Sequence, residues 1–459
     1  MWVAVEPSPG QYNYTFLSEA VALVNKLASY NITTLIDMHQ DLLSPATCGE
    51  GIPSWVSELA TTSRACNESW YAETMHAVGV CKSITEYSIP IDPSTGFPSA
   101  VECVKHNFAL FYATPEVASS FQSLFTNHAG IADAFRAYWS VTAKAFSGIA
   151  SVIGYDLLNE PFVGDLWSDL SEIALPGHSD NKYLQPLYAS LHDVIREVDK
   201  EHLLFYEPTP LPDTLPLFGG IVSPVGFNAT PGTAAGQGPN QDVLSYHVYC
   251  CVSAANACDA AGNPTNGAVC DVYNPKNVAT RMSDIARLGG GGFLTEFGAC
   301  TDGAACIDEI ARTTQAADDH FQSWAYWQFK YMHDVTTSSG PAEGFYSPTD
   351  GSLVVDKVAA LSRTYAQVVQ GTPLAMRFNS TTMQFDLTYL SSATATGPTI
   401  IYMNRAMNYP RAVSVNVLQG AGVVATTVDA NHIQINHPPG LPAGTTVQVQ
   451  IVMAAEGQE

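Results

Sequence analysis

Apolar residues recur at two spacings along the first 370 or so positions. In TFLSEAVALVNKLAS (15–29), Phe16, Ala20, Leu23, Val24 and Leu27 share one face at helical steps, which predicts a helix. ITTLIDMH (32–39) follows, rich in β-branched residues, and predicts a strand that ends near His39. Helical spacing returns over 131–147. SVIGYDLLNEP (151–161) is then a short, nearly continuous apolar run, the pattern of a strand covered on both faces. The alternation continues with a helix over 183–199 and the strands LLFYEP (203–208) and VLSYHVY (243–249). A helix over 276–288, the strand GGFLTEFG (291–298) and a helix over 304–319 come next, and the strand SWAYWQFK (323–330) and a helix over 356–369 close the series. Strands alternating with helices predict a parallel α/β fold. The six strands lie near residues 35, 155, 205, 246, 294 and 326, two fewer than the eight of a closed (β/α)8 TIM barrel.

From about residue 372 the period changes. RFNSTTMQFDLTYL, GPTIIYMN, RAVSVNV, GVVATTVDANHIQINH and TTVQVQIVMA are short, alternating and separated by turn residues. They predict a small antiparallel β-sandwich over 372–459, following a barrel over 1–369.

Composition narrows the class. With 46% hydrophobic and 14% charged residues the chain can bury a sizeable core. It contains no apolar run near the roughly 20 residues that span a bilayer. A formal charge of −24 repels a phosphate backbone and argues against nucleic acid as a partner. A neutral substrate such as a sugar is compatible with that charge but is not selected by it. Ten cysteines (48, 66, 81, 103, 250, 251, 258, 270, 300 and 306) form no CxxC pair, which speaks for disulfides in an oxidising compartment over structural zinc. Their pairing is not legible. N-x-S/T sequons at Asn13, Asn31, Asn67, Asn228 and Asn379 point the same way. Against this, MWVAVEPSPGQYNY has no basic stretch leading into an apolar signal segment.

The candidate chemistry gathers where the apolar runs stop, at the strand ends on which barrel active sites are built. Those ends offer His39 and Asp41, then Asn159 and Glu160, then Glu207. Farther on they offer His247 and Tyr249, then Glu296, then Trp327 and Gln328. Paired carboxylates are the equipment of glycoside hydrolysis, one protonated to donate to the leaving oxygen and one ionised to attack carbon or activate water. Glu207 reads as structural. LGGGG (288–292) lacks the context of a dinucleotide site, no ligand spacing supports a metal at His39, His247 and Glu296, and no cofactor is implied.

VEPSPGQYN, DMHQD, GIPSW, GYDLLNEPF, LQPLY with VIREVD, SYHVYC, FLTEFG and YWQFK occur in the order found in the retaining β-glycosidases of glycoside hydrolase family 5. Within that family the chain resembles the endoglycoceramidases over nearly all of 1–369, and the trailing sandwich fits them too. The resemblance implies a TIM barrel that hydrolyses the bond between oligosaccharide and ceramide. Glu160 would be the general acid/base and Glu296 the nucleophile. Asn159 would bind the sugar 2-hydroxyl, Tyr249 would keep Glu296 ionised, and His247 would order the site. His39 and Asp41 would hold sugar hydroxyls, Trp327 would stack on the sugar, and Gln328 would join the binding set. Strand alternation puts Trp327 and Trp324 on opposite faces.

The family pattern also has two strands before VEPSPG, the second carrying a supporting arginine. The expectation is therefore a barrel lacking its first two strands, with a signal peptide lost in the same segment and a secreted or lysosome-like location. Transient contact with a membrane surface would accompany a glycolipid substrate. Two other readings stay open: a glucosylceramide or sterol-glucoside β-glucosidase, and a catalytically inactive carbohydrate- or lipid-binding protein. In PFVGDLWSDL (161–170), Phe162, Leu166, Trp167 and Leu170 suit either a ceramide-binding edge or the core.

Overall fold

The computed structural model describes residues 1–210, 222–250, 267–301, 303–330 and 343–454. Six strands form one sheet in chain order: β1 (Thr34–Asp37), β2 (Val152–Asp156), β3 (Leu203–Tyr206), β4 (Asp242–Val248), β5 (Gly291–Gly298) and β6 (Ser323–Trp327). Every neighbouring pair is parallel, as the βα alternation predicts. The sheet curls strongly. The His39 ring, just past β1, stacks on Trp327 at the end of β6 with centroids 5.0 Å apart, so the exit ends of the two edge strands face one another. This is a curled (β/α) barrel fold with six strands among the described residues.

The helices follow the apolar spacing. Tyr14–Ala28 starts at Asn13, whose side chain accepts the Phe16 N–H, and turns Leu17 and Val24 inward. Ile131–Phe146 buries Phe135, Tyr138, Trp139, Ala143 and Phe146 at three- and four-residue steps. Gln185–Val198 and Ala304–Asp319 lie where helices are expected, and Gly267–Leu288 begins well ahead of the expected 276. Sequence spacing did not reveal Ser54–Ala60, Trp70–Ala77 and Pro115–Phe125 between β1 and β2. Pro115–Phe125 buries Glu116, Ser119, Ser120 and Ser123, whose polarity hides the helical stripe. Their hydroxyls are satisfied internally: Ser120 Oγ donates to the Glu116 carbonyl and Ser123 Oγ to that of Ala60. Disulfides Cys48–Cys103 and Cys66–Cys81 staple this segment, and Cys250–Cys270 and Cys300–Cys306 staple the later one. Cys251 and Cys258 lie outside the described residues. All five sequon asparagines are exposed.

One expectation changes, and one open reading is resolved. The helix expected over 356–369 ends at Leu361, and Tyr365–Val368 is a strand, β7, of the C-terminal sheet. In the 161–170 segment, Phe162, Leu166 and Trp167 are buried core and only Leu170 is exposed. The reason is packing: Phe162 stacks on Tyr112, while Trp167 stacks on Tyr71 and donates its indole N–H to the Ala113 carbonyl.

The remaining strands are β8 (Gly371–Asn379), β9 (Gln384–Ser391), β10 (Thr399–Tyr402), β11 (Val413–Gln419), β12 (Val424–Thr427), β13 (His432–Asn436) and β14 (Thr446–Met453). They form antiparallel sheets in the orders β12-β13-β10-β7 and β11-β14-β9-β8. Phe385, Leu387 and Tyr389 on β9 and Val447, Val449 and Ile451 on β14 are fully buried, the two-residue period of a face turned inward. Arg363 ties this sandwich to the barrel. Its guanidinium pairs with Asp318 of helix Ala304–Asp319 and donates to the Phe378 carbonyl on β8.

Candidate active site

The polar residues singled out at the strand ends converge. Beyond β2 the chain runs between its neighbours, the Leu157 N–H bonding to Phe205 and the Asn159 N–H to Met38. It delivers Glu160 with φ at +40°, a left-handed conformation that a residue with a Cβ adopts at a cost. Both flanks hold this turn. Gln40 Nε2 donates to the carbonyls of Asn159 (2.7 Å) and Glu160 (3.1 Å), and Glu207 Oε2 accepts the Glu160 N–H at 2.8 Å. Asn159 Nδ2 donates to the Gln40 carbonyl at 3.2 Å.

Glu296 stands on β5 opposite His247 on β4, at a register shift that re-aims both side chains. His247 lies among three glutamates. Its Nδ1 is 2.7 Å from Glu160 Oε1 and 3.4 Å from Glu207 Oε1, and its Nε2 is 3.8 Å from Glu296 Oε2. Tyr249 donates its hydroxyl to Glu296 Oε1 at 2.6 Å. Carboxylate oxygens of Glu160 and Glu296 and a His247 ring nitrogen all lie within 4.8 Å of one another. His39 is not in that group, so the His39, His247 and Glu296 metal set is not assembled. The grouped atoms already engage one another and Tyr249 by hydrogen bonds.

The Glu160 and Glu296 side chains retain 22% and 15% exposure, enough to meet a substrate, whereas Glu207 retains 3%. Burial raises the Glu160 carboxyl, but the hydrogen bond and charge of His247 outweigh it and hold the group below its ordinary range. Glu296 is pushed up to about 7, chiefly by burial, with the Glu160 charge adding and His247 opposing. Burial drives Glu207 well above the carboxylate range, against the pull of His247 and with the push of Glu160. Burial lowers His247, yet the surrounding Glu207, Glu296 and Glu160 raise it far more. These opposed shifts pair an ionised Glu160 carboxylate with a protonated His247 ring across their short contact.

A second group forms the rim. His39 Nδ1 bonds Asp37 at 2.9 Å, and its Nε2 is 3.4 Å from Asp41. Asp41 accepts the Tyr112 hydroxyl at 2.9 Å. Trp327 faces His39 while Trp324 packs on Phe297, as strand alternation requires. Gln328 is buried, with Nε2 3.4 Å from Glu343. All nine residues of the sequence-derived set thus lie at one end of the sheet. Sequence reasoning did not single out Gln40, Tyr112 or Glu343, and it read Glu207 as structure only. The sole available signal was the glutamine inside DMHQD.

The chain matches the family model for cellulase (glycosyl hydrolase family 5) over residues 106–333 and that for the glycoside hydrolase family 5 C-terminal domain over 363–451. It is 33% identical to an endoglycoceramidase of Cyanea nozakii over 448 residues, covering 97% of this chain and 80% of the relative. To an endoglycoceramidase of Hydra vulgaris it is 33% identical over 406 residues, 88% of this chain and 68% of the relative. Its fold superposes on endo-glycoceramidase II from Rhodococcus sp. in complex with ganglioside GM3, with a TM-score of 0.70 at 23% identity, covering 99% of this chain and 88% of that one.

Proposed function

The chain belongs to glycoside hydrolase family 5, and from that premise we propose that it hydrolyses the β-glycosidic bond between the oligosaccharide and the ceramide of glycosphingolipids, with retention of configuration. The observation that carries the mechanism is the approach of one Glu160 and one Glu296 carboxylate oxygen to within 4.8 Å. Retaining sites hold their carboxyl groups roughly 5–5.5 Å apart, and inverting sites need roughly 6.5–9.5 Å to admit a water between acid and base. Oxygens this close fit the shorter, retaining spacing.

The two steps follow. Glu296 attacks the anomeric carbon while Glu160 protonates the departing ceramide oxygen, leaving a glycosyl–Glu296 ester and free ceramide. Water then attacks the same carbon, Glu160 takes its proton, and Glu296 leaves. For the first step a proton must pass from His247 Nδ1 to Glu160 Oε1. The ring is then neutral and turns its Nε2–H toward Glu296. Tyr249 favours the ionised nucleophile by donating to it. Asn159, His39, Asp41, Trp327 and Gln328 are the residues assigned to hold the sugar. A ceramide-bearing substrate implies work at a lipid surface. Disulfides and exposed sequons support a secreted or lysosome-like setting.

Fluorescent GM3 and glucosylceramide, each incubated with the protein, test the reading when the products are identified by mass. Intact oligosaccharide plus ceramide is expected from GM3. Release from glucosylceramide alone would move the activity to a β-glucosidase, and no release by the folded protein would leave a binding protein.

Tyr249→Phe tests the nucleophile's environment. A hydrogen bond to the charged form lowers a carboxyl's pKa, so its loss raises that of Glu296. The acidic limb of kcat/KM is expected to move to higher pH by about one unit, the value of one charged hydrogen bond. A limb that stays in place would remove Tyr249 from this role.

A further inference from the structure

Glu207 is a third glutamate in the cluster, and family membership and the two-carboxylate mechanism leave it without a task. It follows β3 directly and is 2% exposed. A carboxyl so buried is costly unless its oxygens are used, and both are. Oε2 accepts the N–H of Glu160 at 2.8 Å, and Oε1 lies 3.4 Å from His247 Nδ1. Its own backbone is anchored from outside the sheet, the buried Tyr188 hydroxyl donating to the Glu207 carbonyl at 2.8 Å. The N–H that Glu207 holds belongs to the residue whose φ is +40°, and the ring it faces is the one hydrogen-bonded to Glu160. A left-handed conformation at a residue with a Cβ persists only where its surroundings enforce it. Gln40 enforces it through the carbonyls on one side, and Glu207 through the amide on the other.

We propose that Glu207 is a positioning residue for the general acid: it holds the backbone turn that aims Glu160 at the leaving oxygen and keeps His247 beside it. The proposal rests on the assignment of Glu160 as general acid. Glu207 does not touch the sugar; it acts through Glu160 and His247. The titratable groups that face it are Glu160 and Asp156 from β2 and its exit, His247 from β4 and Tyr188 from helix Gln185–Val198.

The test uses the full chain, Glu207→Ala and Glu207→Gln, each with GM3 and with a dinitrophenyl β-lactoside. Ceramide leaves as a poor leaving group and needs protonation, whereas dinitrophenolate does not. In Glu207→Ala, kcat/KM for GM3 is expected to fall ~100-fold, the scale of general-acid assistance, and that for the aryl lactoside by less than about threefold. Glu207→Gln keeps an oxygen that accepts the Glu160 N–H, so it should recover most of that loss. Equal losses on both substrates, or none on either, in folded Glu207→Ala would overturn the proposal. If Glu207→Ala does not fold, Glu207→Asp decides: its shorter side chain no longer reaches the Glu160 N–H, so kcat/KM for GM3 should fall while that for the aryl lactoside stays within about threefold, and equal losses on both substrates, or none, would overturn the proposal. Glu160→Ala on the same two substrates separates the failures. If it loses both alike, the acid assignment itself is wrong; if it discriminates and Glu207→Ala does not, only the role of Glu207 falls.

Discussion

Glu296→Ala is expected to abolish turnover of GM3, lowering kcat by on the order of 10⁴-fold or more, because without the carboxylate no glycosyl–enzyme ester can form. The loss should be the same for a dinitrophenyl β-lactoside, since a better leaving group does not replace an absent nucleophile. Binding should survive, because Glu296 is one carboxylate among several polar groups at the exit end of the sheet. The variant should also fold, since the side chain is partly exposed and its removal relieves repulsion with Glu160. His247 loses one of its three glutamate neighbours and with it part of the charge that holds its proton. The check is single-turnover release from GM3 alongside a thermal melt. A folded Glu296→Ala that keeps a tenth of the activity would remove Glu296 from the nucleophile's role.

Glu160→Ala should behave differently. On GM3, kcat/KM is expected to fall by about 10²–10⁴-fold, the range of general acid–base assistance. On the dinitrophenyl lactoside, kcat/KM should stay within about tenfold of the parent enzyme, since ester formation there needs no proton. Hydrolysis of the ester still needs a base, so kcat should drop on both substrates and the glycosyl–enzyme should accumulate. Intact-protein mass spectrometry after mixing with the aryl lactoside would show one added lactosyl unit. Failure to accumulate it, together with equal losses on the two substrates, would contradict the assignment. Glu160→Gln preserves the shape of the side chain and its contact with His247, and therefore separates the loss of the proton from the loss of the group.

Glu160 and Glu296 also meet the same imidazole unequally. Glu160 is at hydrogen-bond distance from Nδ1 and Glu296 is 3.8 Å from Nε2. The free-state balance, with Glu160 held low and Glu296 pushed up to about 7, must shift once a sugar displaces water and the proton passes to Glu160. The clamp formed by Gln40 and Glu207 keeps Glu160 in place while that transfer occurs.

Much of this arrangement is written locally. The apolar run SVIGYDLL and the alternating QFDLTYLS are different periods of burial, and each became the strand its period predicts, β2 in a covered parallel sheet and β9 with one face in a sandwich core. The six parallel strands, the antiparallel sandwich and the set of polar residues at strand exits follow from such patterns, because burial on a strand or a helix repeats every two or about 3.6 residues whatever the rest of the chain does. Helix Pro115–Phe125 escaped this reading because serines with internally satisfied hydroxyls occupy its buried face. The strand Tyr365–Val368 escaped it because four residues are too few to distinguish from the end of a helix. The split of 161–170 into buried Phe162, Leu166 and Trp167 and exposed Leu170 needed the rings of Tyr112 and Tyr71 in place. Glu207 shows the limit most plainly. A glutamate after an apolar strand looks the same in sequence whether it is solvated or clamps an amide 47 residues away, and Gln40 reaches across 119 residues to Asn159. The sequence by itself determined which residues stand at the ends of which strands. Only the tertiary structure decided which of them are hydrogen-bonded to one another and which hold the acid in its strained turn, because hydrogen bonding and charge coupling depend on distances across strands, and no local period encodes those.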